Sequence, residues 1–96
     1  SIDIGDFSLI DDNCVLDDTN QNIIYFNAVN KIDKSIIIGT HVLVNRGSII
    51  KQGTTVGDEC IIKEYSVVDG TYASNNMLAG NPATIVDKNI KWKYNF

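Results

Sequence analysis

The chain holds a single histidine, His41, and a glutamate, Glu59, stands eighteen residues after it. An imidazole can take up and return a proton near neutral pH, so His41 could serve as a general base. On an outward corner the same residues make a surface His–carboxylate pair with no chemistry attached. Asp17 and Asp18 could offer a second, carboxylate base. They also open a polar, turn-rich stretch that runs to Asn22, where solubility accounts for them as well. No Cys/His cluster has metal-ligand spacing, and no Gly-rich phosphate loop is present.

The elements that must carry these residues are written in a comb. Aliphatic residues recur every six positions from Ile32 through Ile38, Val44, Ile50, Val56 and Ile62 to Val68, and earlier at Ile4, Ile10 and Leu16. Six is not a helical period. It is a short strand followed by a corner, with a small or β-branched residue two positions before each tooth sharing its inward face. Three such units make a coil of eighteen residues, which sets His41 under Glu59, Arg46 under Glu64, and Asp33, Lys51 and Asp69 in one column. Opposite charges then meet on successive rungs. Between Leu16 and Phe26 the spacing is ten instead of six, which implies a four-residue insertion forming a loop over residues 17–25. The coils are expected over residues 1–73, with residues 74–96 as a loop and cap. Pro82 belongs in a turn or at an edge, and a short helix starting near Asp87 would bring Ile90 and Trp92 over apolar surface.

Composition narrows the partners. Twelve acidic against eight basic residues, net −4, argue against a nucleic-acid groove or an anionic membrane surface, and no apolar run reaches transmembrane length. Cys14 and Cys60 both fall in the small inward slot, which favours two reduced thiols, a reducing compartment and a cytoplasmic location. The start at Ser1 in mid-pattern reads as a C-terminal fragment of a longer chain. The outward strand residues Ile37, Leu43, Ile49, Ile61 and Val67 are apolar, which predicts burial against further copies of the prism, most simply as a trimer.

The teeth followed by glycine (Ile4-Gly5, Ile38-Gly39, Val56-Gly57), with Ala79-Gly80-Asn81-Pro82-Ala83 and Asn89-Ile90-Lys91-Trp92, resemble the hexapeptide-repeat acyltransferases. The resemblance is strongest to bacterial O-acetyltransferases of capsule and surface-polysaccharide gene clusters. It implies an all-β fold, a left-handed parallel β-helix of hexapeptide repeats with a short C-terminal capping segment. It also implies a homotrimer, acetyl-CoA as co-substrate and a sugar or polysaccharide hydroxyl as acceptor. Similar enzymes carry the catalytic His in an Asp-x-His pattern, and the matching positions here are Asp18, Thr19 and Asn20. Asn20 cannot act as a base at neutral pH, which leaves His41 as a relocated candidate. The cofactor groove maps onto Lys63 and Glu64, where similar proteins have Gly-Ala, and onto Gly80, Asn81, Pro82 and Ala83. Leu43 and Asn45 stand where Trp and Gly are usual. Lys51 and Lys63 could meet CoA phosphates or pair along the rungs. The alternative function is a catalytically inactive trimeric scaffold or sugar-binding module.

Overall fold

The structure is a computed structural model that describes residues 1–17 and 35–93. Residues with branched, apolar side chains form very short strands, and polar or glycine-containing quartets turn between them. The strands are β1 (Ile2–Ile4), β2 (Leu9–Ile10), β3 (Val15–Asp17), β4 (Ile36–Ile38), β5 (Leu43–Val44), β6 (Ile49–Lys51), β7 (Thr55–Val56), β8 (Ile61–Ile62), β9 (Val67–Val68), β10 (Thr71–Tyr72), β11 (Asn76–Gly80) and β12 (Ala83–Lys88). They stack into three sheets, ordered β1-β4-β7-β10, β12-β11-β8-β5-β2 and β3-β6-β9, with every pairing parallel except β11 with β12. This is a left-handed β-helix, a three-walled prism wound from one chain.

The comb is its core. Ile38, Val44, Ile50, Val56, Ile62 and Val68 are all buried, with Ile36, Val42 and Cys60 in the paired inward slots. Alternation along each strand does the sorting: in β4, Ile36 and Ile38 are buried while Ile37 between them is 45% exposed. Polar residues in the inward slots satisfy their hydroxyl or thiol on a corner carbonyl of the coil that follows. Ser8 donates to Gly39 O, Cys14 to Asn45 O, Ser48 to Lys63 O and Cys60 to Ala73 O, at 2.9, 3.1, 2.9 and 3.2 Å. Ser66 and Asn76 turn back instead, to Lys63 O and Ala73 O within their own corners, at 2.7 and 3.0 Å.

The corners bend through left-handed backbone. Phe7, His41, Glu59 and Asn75 at one corner, and Asn13, Gly47 and Tyr65 at the next, have φ between 56° and 71°. That geometry turns each N–H toward the preceding coil: His41 N bonds Asp6 O, Glu59 N bonds Thr40 O and Asn75 N bonds Asp58 O, each at 2.9 Å. Repeated tight corners of this kind let parallel strands follow one another with the crossover hand that ordinary βαβ units avoid.

Three features depart from the sequence expectation. From the first coil to the second the register steps by 34 residues, against 18 between the second and third. The excess is sixteen residues where the comb counted four, and the two values differ by two whole periods of six, which periodicity cannot register. Asp17 is the last residue of β3, so the loop does not start there. The remainder of the expected loop, the teeth Phe26 and Ile32, and Asp33 lie outside the described residues. After Val68 the comb does not end: a corner two residues shorter, at Asp69-Gly70, sets Tyr72 over Val56 and Leu78 over Ile62. The expected helix near Asp87 is absent, because Thr84, Ile85 and Val86 are β-branched and extend β12 against the open edge of β11. Pro82 occupies the turn of that hairpin, and the hairpin is the cap.

Candidate functional site

Two corners bear the candidate residues. The first lies between the β4 and β5 walls, where Gly39-Thr40-His41-Val42 is stacked under Gly57-Asp58-Glu59-Cys60. Here the Nδ1 of His41 meets Glu59 Oε2 at 2.7 Å, the rung contact that the eighteen-residue period predicts. A carboxylate only accepts, so Nδ1 carries the hydrogen in this contact. The imidazole side chain is 18% exposed and the glutamate 40%. Asp58 Oδ1 accepts from Thr40 N at 2.8 Å, and Ser74 Oγ accepts from Asp58 N at 2.8 Å, so side chains tie the rungs of this corner together.

The chain beyond β12 returns to this corner. Ile90 N donates to Asn75 O at 3.0 Å and Asn75 Nδ2 to Ile90 O at 3.4 Å. Two residues on, the Trp92 indole lies flat against the His41 ring, centroids 3.8 Å apart and planes 7° from parallel, while its Nε1 donates to His41 O at 2.9 Å. Trp92 therefore covers the imidazole, a partner the sequence expectation did not name. A cavity of about 260 Å³ lined by Lys91, Trp92 and Lys93 opens along this strap.

The second corner follows β8. Lys63 and Glu64 are exposed there, and Lys63 N donates to Leu78 O at 2.9 Å, which brings the β11 end and its turn, Gly80-Asn81-Pro82-Ala83, onto the same corner. Gly80 has φ +106°, and a Cβ there would meet only Pro82 O at 3.4 Å, so a narrow ligand has access to the backbone. The Lys63 ammonium suits a phosphate, and Glu64 beside it does not. Of the groove residues expected from sequence, Ala83 is buried at 6% and accepts from Tyr72 Oη at 3.2 Å, a structural role. This corner and the His41 corner flank opposite ends of β5 and β8, so the structure joins Lys63, Glu64, Gly80, Asn81 and Pro82 with each other but not with His41. Asp18 and Asn20 lie outside the described residues.

Among the described residues, no His, Cys, Asp and Glu group could hold a metal ion, and no helix is long and apolar enough to cross a membrane. The expected stacking of Arg46 with Glu64 and of Lys51 with Asp69 yields no ion pair, in contrast to His41 with Glu59. Cys14 and Cys60 are both free thiols, and burial pushes the Cys60 thiol above its ordinary value, which disfavours a nucleophilic thiolate. Sequence reasoning missed Trp92 as a site residue. The one signal available was that the chain has a single Trp, and its partner lies 51 residues away.

Comparison with known proteins bears on this geometry. No protein-family model matches the sequence. A 57-residue stretch is 33% identical to the bifunctional protein GlmU of Baumannia cicadellinicola subsp. Homalodisca coagulata, covering 59% of this chain and 12% of that protein. The crystal structure of the polySia-specific acetyltransferase NeuO superposes over 98% of this chain with a TM-score of 0.72 and 27% identity. The chain spans 48% of the length of NeuO. By fold and repeat the chain is a left-handed β-helix, and in both it resembles the hexapeptide-repeat acetyltransferases.

Proposed function

We propose that this chain is the β-helical part of an O-acetyltransferase that moves an acetyl group from acetyl-CoA to a hydroxyl of a sugar or polysaccharide. The observation that carries the reading is the likeness to a polysaccharide-modifying acetyltransferase across 98% of the chain at 27% identity. Acetyl-CoA supplies the activated acetyl group as co-substrate, with Lys63 and the exposed backbone at Gly80 as the chain's own means of holding it; since these lie at the opposite end of β5 and β8 from His41, the reading pairs them with the His41 of a neighbouring protomer in the expected trimer. His41 is the general base of this reading. Glu59 fixes Nδ1–H, and Nε2 takes the proton of the acceptor hydroxyl as its oxygen forms a bond to the acetyl carbonyl carbon. The carbon–sulfur bond breaks, and the proton passes to the departing thiolate.

The apolar columns Leu43–Ile61 and Ile49–Val67, half-buried in a single chain, are the surfaces through which we expect a homotrimer to form. Two free thiols fit a reducing, cytoplasmic setting. A second reading, a trimeric scaffold or sugar-binding module without catalysis, draws on Lys63 and Glu64 standing where the resembling family has small residues, and on Asn20 in place of His.

Calorimetric titration of acetyl-CoA into the trimer, with turnover measured on a polysaccharide acceptor, separates the two. Binding and transfer that His41→Gln reduces by about 100-fold or more support the enzyme. An intact trimer that neither binds nor transfers belongs to the scaffold.

A further inference from the structure

Among the described residues, two groups from distant parts of the chain meet the His41 ring. Glu59 takes its Nδ1–H from the next coil at 2.7 Å, and Trp92 lies on its face at 3.8 Å from the strap that follows β12. The strap is not attached at random. Ile90 is paired with Asn75, two coils along the same corner column from His41, so residues 90–92 run back down the corner past Glu59 and deliver the indole to the imidazole. The Trp92 Nε1–H then bonds the carbonyl of His41 itself at 2.9 Å, which locks indole and imidazole to one backbone unit. That backbone is already held in left-handed geometry at φ 56°. A carboxylate alone fixes one nitrogen and leaves the ring able to turn about its side-chain bonds. A flat indole on its face removes that turn.

We propose that Trp92 is a positioning residue of the acetyl-transfer reaction, acting through His41 by holding its imidazole in the plane that keeps Nδ1 on Glu59 and presents Nε2 for proton transfer. The inference rests on the reading of His41 as the base. Trp92 touches no reacting atom in this assignment. It restricts an orientation, and small losses of orientation in a base cost rate more than they cost binding.

Glu59 places its carboxylate on the ring from the following coil, and substitution at Trp92 leaves that carboxylate in the sequence, so the two effects are separable.

The test uses the full-length protein as its native oligomer, with four variants: His41→Gln, Glu59→Gln, Trp92→Phe and Trp92→Leu. Steady-state kinetics are paired with ¹⁵N NMR of the imidazole, whose signals are unambiguous because the chain has one histidine. Trp92→Leu is expected to lower kcat by about 10- to 100-fold, with the KM for acetyl-CoA unchanged, and to mix the two imidazole tautomers. Trp92→Phe keeps a flat ring on the imidazole, and should restore most of kcat and the single tautomer. Glu59→Gln should mix the tautomers as Trp92→Leu does. If His41→Gln abolishes transfer while Trp92→Leu keeps both kcat and the single tautomer, the role of Trp92 is refuted and the base stands. If His41→Gln transfers as well as wild type, the assignment of the base falls and the role of Trp92 falls with it. Should Trp92→Leu fail to fold, the Trp92→Phe enzyme decides through the same two readouts: loss of kcat together with mixed tautomers in a folded protein overturns the proposal.

Discussion

The two corners that flank β5 and β8 share one backbone and do different things with it. Both turn through residues with φ near +60° whose N–H groups bond back to the preceding coil. At the first corner, polar side chains carry the rung-to-rung contacts, through Asp58 to Thr40 and Glu59 to His41. At the second, the Tyr65 ring lies over Gly47, where the absence of a side chain makes the space. A repeat fixes where side chains emerge and leaves their identity open, so one corner becomes a polar corner, while at its neighbour the ring over Gly47 makes a packing joint.

Substitutions can break that contrast from either side. Gly47→Ala is expected to cost the most, about 2 kcal/mol, because the added Cβ both strains a left-handed residue and collides with the Tyr65 ring; urea unfolding measures it, and Tyr65→Ala in the same chain should recover part of the loss. Asp58→Ala removes the acceptor of Thr40 N at an exposed corner, for about 1 kcal/mol by the same assay. If the two costs came out reversed, the division between packing joint and polar corner would fail.

Cys60, inside the first corner, adds a pH signature. Its folded thiol sits above the 9.0 of a free one because burial opposes the thiolate. Its contribution to stability is therefore complete below about pH 9 and declines as the pH climbs through the folded value. Melting temperature followed from pH 7 to 10 should show that decline, and Cys60→Ser should remove it. Glu59→Gln closes the series with a stability change of at most about 0.5 kcal/mol, since its carboxylate is 40% exposed. A larger change would make the pair a structural support more than a site.

Much of the prism was legible. The inward teeth and their register from Ile36 to Val68 follow from period six together with strand alternation, and His41 under Glu59 follows from eighteen. The first coil was only partly readable, since an insertion that contains whole multiples of the period leaves the phase unchanged. The shortened corner at Asp69-Gly70 hid Tyr72 and Leu78 for the opposite reason: two missing residues moved them off the comb while their inward direction stayed the same. The run Thr84-Ile85-Val86 was a strand signal that the helix expectation overrode. Trp92 is the hardest case. Its partner is the ring and carbonyl of one distant residue, and no local pattern encodes a contact reached through the return path of a strap.

The small residues along two walls of the prism hand their hydrogens forward to the next coil, Ser8 and Cys60 on one and Cys14 and Ser48 on the other, until Asn76 and Ser66 bond within their own corners. Each wall is thus a polymer with a polarity and a terminated end. Anyone wishing to lengthen it should splice another eighteen-residue unit between the second and third coils, where donor and acceptor still match, and should not add one beyond Asn76, where both are already taken.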